Sequence, residues 1–197
     1  MRHRANVNTR GDPKELRPIT IAAIGGDYGS MKQLMKSPQI KFDERVGMNT
    51  ALHLTNFDKV PEITEIESAK DRAILDHPGF MGRTPLIEAA SMGSPLATRW
   101  LIGAGADKQK VCYAGMTPLH YASWRGEPEI IEILIQNGAN LEAVDLQERT
   151  PLFLAVEGGH GHAVKLLVQA GAKLEKIGKR REMIVKSRAE WLGDISL

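Results

Sequence analysis

Six histidines and a single cysteine are the residues best suited to carry chemistry in this chain, as metal ligands, general bases or a nucleophile. His160 and His162 flank Gly161 in the string Gly158-Gly159-His160-Gly161-His162. Zinc takes three or four ligands, and no third is suggested near this pair, so no metal site is expected. Cys112 would need an adjacent base or a helix N-terminus to become a reactive thiolate, and it reads instead as a filler thiol in a loop. No motif sets a nucleophile or carboxylate beside His53 or His120, as an acyl-transfer or acid–base site requires. Gly25-Gly26-Asp27-Tyr28-Gly29 is glycine-rich, but it lacks the Lys-Ser/Thr of a phosphate loop and the spacing of a dinucleotide fingerprint. Glu62, Glu65, Glu67 and Asp71 have no partner motif, and such a charge run reads as a solvated helix face. The expectation is a protein with no catalytic group, no cofactor and no metal.

Bulk properties narrow the class further. The 197 residues suffice for one domain with a real core, and a net charge of +2 is too mild to imply nucleic acid by itself. A single cysteine cannot form an internal disulfide, which fits an intracellular protein, cytoplasmic and/or nuclear. No apolar run reaches the roughly 18 residues of a membrane span. The start, Met1-Arg2-His3-Arg4-Ala5-Asn6, has no apolar stretch of the kind a secretory signal needs. Arg2, Arg4 and Arg10 hint at an organelle transit peptide, but Asp12, Glu15 and the lack of serine argue against one.

The strongest signal is internal repetition. Thr84-Pro85-Leu86, Thr117-Pro118-Leu119 and Thr150-Pro151-Leu152 recur at steps of 33 residues, and weaker frames stand at Arg17-Pro18-Ile19-Thr20, Thr50-Ala51-Leu52-His53 and Met183-Ile184-Val185. Threonine is a good helix N-cap, because its hydroxyl accepts from an orphan amide of the first turn. Proline at the next position has no N–H to waste. A short helix then runs to Gly93, to Gly126, and to Gly158 or Gly159. A second helix follows. Ile131, Leu134 and Ile135 share one face of it at i, i+3, i+4 spacing, as Val164, Leu167 and Val168 do one period later. Gly105, Gly138 and Gly171 close these second helices. About a dozen residues remain before the next threonine, enough for a turn and a short hairpin.

This pattern resembles the ankyrin repeat, whose signature T-P-L-H-x-A is matched in full by Thr117-Pro118-Leu119-His120-Tyr121-Ala122. Asn137-Gly138-Ala139-Asn140 matches the family's second-helix ending. The resemblance is close over 79–178 and weak on either side. It implies an all-α ankyrin-repeat solenoid of paired antiparallel helices with short β-hairpin or loop fingers, in about five repeats plus a partial C-terminal cap. The expected boundaries are a tail over 1–16, repeats over 17–44, 45–78, 79–111, 112–144 and 145–177, and the cap over 178–197. The second frame departs most: Glu67 and Ser68 stand where Leu134 and Ile135 stand later. A buried glutamate is unfavourable unless paired, so this helix should shift to place Ala73, Ile74 and Leu75 inside.

By resemblance, finger tips and first helices line a groove that grips partner proteins. Counting from each threonine puts Phe80, Met81 and Arg83, then Tyr113, Ala114 and Met116, then Leu146, Gln147 and Arg149 on the fingers. It puts Met92, Trp124 and Arg125 late on the first helices, with Tyr121 edging the same surface. Phe80, Met81, Met92, Tyr113, Met116, Tyr121 and Trp124 should then form one exposed apolar patch with Arg83, Arg125 and Arg149 beside it. Tyr, Trp and Arg most often supply binding hot spots. The implied role is an interaction module (adaptor, inhibitor or regulatory subunit), monomeric, taking a protein or peptide of acidic-hydrophobic character. The alternative is an anion- or nucleic-acid-binding accessory protein using the same arginines and the run Lys176, Lys179, Arg180, Arg181. Trp100 is expected in the core. By the same resemblance His53 and His120 hydrogen-bond between repeats, and His160 fills the inter-helix loop.

Overall fold

The computed structural model describes residues 75–173. The tail, the first repeat, nearly all of the second, the cap, Trp191 and the Lys176–Arg181 run lie outside these residues. Three helix pairs are present: α1 (Pro85–Met92) with α2 (Pro95–Gly103), α3 (Pro118–Arg125) with α4 (Pro128–Gln136), and α5 (Pro151–Gly158) with α6 (Gly161–Gln169). One 3-10 turn, Phe80–Gly82, precedes them.

Each first helix starts where the capping chemistry puts it. The Thr84, Thr117 and Thr150 hydroxyls accept from the amides of Ile87, His120 and Phe153 at 3.3, 3.3 and 3.2 Å. Proline follows each cap at the first helical position. Each of these helices ends at a glycine in the left-handed region, Gly93, Gly126 or Gly159. At Gly126 the need is double: φ is +72°, and an added Cβ would strike the His160 ring.

The first helices pack side by side, α1 on α3 and α3 on α5, while α2, α4 and α6 form a second layer behind them. The apolar stripes meet between the layers, where Leu119, Ile130, Ile131, Leu134, Leu152, Leu154 and Leu167 are fully buried. Each such side chain contributes roughly 1.5–3 kcal/mol of burial, and no single repeat could bury its stripe alone. Leu75 is buried with Leu86, Ala97 and Leu101, so the inward placement expected at the end of the second repeat holds for this residue. Trp100 is half-buried at the edge of the same cluster rather than inside it.

The fingers form no strand among the described residues. Each is closed by a backbone bond: Gly79 N to Arg83 O at 2.7 Å, Cys112 N to Met116 O at 3.1 Å, and Asp145 N to Arg149 O at 3.1 Å. Neighbouring fingers are joined by Tyr113 N to Met81 O and Leu146 N to Ala114 O, both 3.0 Å. The fingers are therefore hairpin-shaped turns, too short for the ladder of a β-hairpin.

A further tie recurs at the repeat period. Asp76 Oδ1 accepts from Asp107 N at 2.8 Å, Gln109 Oε1 from Asn140 N at 3.4 Å, and Glu142 Oε1 from Lys173 N at 2.8 Å. Positions 76, 109 and 142 are 33 apart, so one carbonyl or carboxylate oxygen per repeat holds the start of the next finger.

Candidate protein-binding groove

The exposed side chains expected in the patch come from the last turns of α1 and α3 and from two finger tips. Phe80 and Met81 project from the finger of the third frame (79–83), and Tyr113, at 69% exposure, from the finger of the fourth (112–116). Met92, on the last turn of α1, and Trp124, on the last turn of α3, are exposed, Trp124 at 50%. These five are where the sequence places them.

Two residues are not. Met116 is 7% and Tyr121 4% exposed, so neither is part of an exposed patch. Met116 stands at the base of its finger and joins the cluster around Leu119 and Leu152. Tyr121 turns inward because its hydroxyl finds partners there: Arg83 Nε donates to it at 3.2 Å, and Cys112 Sγ lies 3.6 Å away. Burial, together with the Cys112 contact, raises the Tyr121 phenol above its ordinary range against the opposing pull of Arg83, so it stays neutral. Tyr121 supports the groove from below, with its ring edge-on to Trp124 at 6.4 Å and 71°.

The arginines divide. Arg83 lies over the Tyr121 ring, 4.8 Å from its centroid, and pairs with Glu88 at 3.3 Å. Arg149 donates to Asp145 Oδ2 at 2.7 Å and to Gln147 Oε1 at 3.1 Å, and lies 3.7 Å from Glu157. Arg125 is exposed and makes no ion pair among the described residues. The three do not form one open basic set.

His120 and His160 stitch repeats together. His120 Nδ1 accepts from Thr117 N at 3.1 Å and lies 2.8 Å from the Thr117 hydroxyl, while Nε2 donates to Arg149 O at 3.0 Å in the next repeat. Burial lowers its pKa below the usual imidazole value. The geometry acts the same way, since a second proton on Nδ1 would face the Thr117 N–H. His160 Nε2 donates to Trp124 O at 2.9 Å, which pins the turn that carries the exposed indole. No group of three or more His, Cys, Asp or Glu able to hold a metal occurs among the described residues.

Cys112 lies in a loop and is buried there. Its sulfur accepts from Ala114 N at 3.4 Å, in the position that Asp145 occupies one repeat later. Val111 and Val144, which sequence reasoning did not single out, are exposed, and so is Leu146, which it placed on a finger but not in the patch. The signal was alternation. Residues 111 and 113, like 144 and 146, stand on one side of an extended segment, and the buried 112 and 145 stand on the other.

Stacked helix pairs held by a repeating set of caps and ties, with apolar and aromatic side chains left exposed along the fingers and first helices, define a repeat scaffold of the solenoid class. A family model described as ankyrin repeats (3 copies) matches residues 58–145 and 88–178. The two matches span more than half of the chain, which belongs to the ankyrin repeat family. Ankyrin repeats generally mediate protein–protein interaction, and proteins built from them are typically non-enzymatic. No helix among the described residues is long and apolar enough to cross a membrane.

Proposed function

We propose that this chain is a protein-binding module, an adaptor, inhibitor or regulatory subunit, which takes a partner protein or peptide in the groove formed by Phe80, Met81, Met92, Val111, Tyr113 and Trp124. The observation that carries the reading is Trp124: a large aromatic side chain, half exposed, on a backbone held by His160 and against a ring held by Arg83. An indole in water with no core to join is costly to keep, and contiguous exposed apolar surface of this kind is usually an interaction site. Its fixed setting lowers the ordering cost of binding. The array is proposed to continue through repeats at 17–44 and 45–78 and to end in the cap at 178–197, with the chain acting as an intracellular monomer.

The nucleic-acid reading needs several open cations, because affinity for phosphates scales with the number neutralised. Arg83 and Arg149 are already held by carboxylates, which favours the protein-binding role. The test is quantitative capture from native lysate with the full chain against Trp124→Ala/Tyr113→Ala, at low and high salt. A protein lost by the double variant at both salts supports the reading. A catch consisting of nucleic acid, released by salt and indifferent to the substitutions, overturns it.

A further inference from the structure

We infer that the occupant of this groove is a peptide segment that lays an apolar side chain on Trp124 and Met92 and sets a neighbouring aspartate or glutamate carboxylate on Arg125. The inference rests on the groove reading above and narrows the partner from a generally acidic one to a single charge at a single place.

Two of the three groove arginines are already bound. Arg83 is committed to Glu88 and Tyr121, and Arg149 to Asp145, Gln147 and Glu157. A ligand carboxylate at either would have to displace bonds already formed. Arg125 is exposed on the last turn of α3 and has no such partner among the described residues. The helix end favours a cation there, but that leaves the guanidinium's fork of donors facing solvent. At the equivalent positions of the neighbouring repeats stand Met92 and Gly158. One contributes exposed apolar surface and the other has no side chain, so neither competes for the charge. Trp124, adjacent in sequence, supplies apolar surface that a bound segment would cover, and the drier setting would strengthen an ion pair beside it.

The same count, made among the described residues, favours a carboxylate over a phosphate. Phosphopeptide sites use clusters of arginine, whereas one open guanidinium matches the charge and planar fork of one carboxylate. The two faces of the match are thus an apolar anchor and a monoanion side by side.

The full chain, immobilised and panned against a displayed library of random peptides, tests this, with Arg125→Glu and Trp124→Ala in parallel. Both positions are exposed, and unchanged thermal unfolding of each variant confirms the fold. Wild type should enrich peptides with Asp or Glu beside an aromatic or large aliphatic residue. Arg125→Glu should bind those peptides about fivefold more weakly and enrich Lys or Arg at the acidic place instead. Peptides that bind wild type and Arg125→Glu alike but are lost with Trp124→Ala overturn the carboxylate and leave the groove standing. No enrichment, or enrichment indifferent to both substitutions, overturns both.

Discussion

The fourth and fifth fingers, 112–116 and 145–149, follow the same backbone course on different anchors. In the fifth, the buried Asp145 carboxylate accepts from Gln147 N at 2.9 Å, Arg149 N at 2.8 Å and Arg149 Nε at 2.7 Å. In the fourth, Cys112 offers a sulfur that accepts from Ala114 N at 3.4 Å, a weaker acceptor with no charge. Each of these two fingers has one left-handed residue. The fourth uses Gly115 at φ +75°, the fifth Glu148 at φ +59°. The fifth finger thus combines a strong anchor with a strained turn, and the fourth a relaxed turn with a weak anchor. The fourth also carries the exposed Tyr113, whose ring lies over Gly82 of the finger before, and its Cys112 lies against Tyr121, the ring that meets Trp124 edge-on. A thiol in place of a carboxylate keeps that aromatic corner free of a buried negative charge. The two fingers thus differ in what anchors and turns them, while both leave apolar side chains exposed, Val111 and Tyr113 on one and Val144 and Leu146 on the other.

The difference can be broken most sharply at the anchor. Asp145→Ala removes the acceptor of two backbone amides and one guanidinium N–H, and should destabilise the chain by about 2–4 kcal/mol; Cys112→Ala should cost only about 1 kcal/mol. Urea unfolding of the two variants side by side measures the gap, and equal losses would deny that the anchors differ.

Acid should act where the two repeats meet, at His120. Its folded pKa lies below the ordinary value near 6.5, chiefly through burial. The Arg149 carbonyl and Asp145 pull it up, and the Arg149 charge pulls it down. As pH falls through about 6.5 the unfolded chain takes up a proton that the folded chain resists, so the stability contributed by the neutral ring is present above that value and lost below it. Urea midpoints should therefore drop from about pH 7.5 to about pH 5.5, and His120→Gln should flatten that drop.

The turn residues come next. Gly115→Ala places a Cβ 2.9 Å from Leu146 N at a positive φ and should cost about 1–2 kcal/mol. Glu148→Gly, at the matching position, should instead stabilise by about 0.5–1 kcal/mol, the relief of strain being partly offset by added freedom of the unfolded chain. Opposite signs in thermal unfolding would sharpen the comparison, and matching signs would remove it.

The smallest effect is expected at Ser123, whose hydroxyl is buried without a hydrogen-bond partner where the neighbouring repeats have Ala90 and Val156. Ser123→Ala should raise stability by about 0.5 kcal/mol, readable as a small increase in the urea midpoint.

Much of this architecture was legible because it rests on local chemistry. Threonine caps, the proline after each and the terminal glycines write the first helices into the sequence, and the 33-residue step orders the stack. The placement of side chains at the finger bases was not legible. Met116 and Tyr121 occupy surface positions by count, but Met116 meets the core of the next repeat and Tyr121 meets Arg83 from the repeat before. Both outcomes depend on contacts between repeats that the period alone does not reveal. For the same reason the arginines looked equivalent in sequence, and only their carboxylate partners, Glu88, Asp145 and Glu157, separate two committed cations from the open Arg125. The exposure of Val111 and Val144 was available in principle, from their alternation with residues that anchor each finger.

Partners are proposed to enter by the fingers and first helices rather than by the outer layer. Hydrogen exchange of the full chain, free and bound to a partner that it captures, tests this most directly. Exchange should slow over 80–83, 111–116 and the ends of α1 and α3, with α2, α4 and α6 unchanged. Protection confined to α2, α4 and α6 would contradict it.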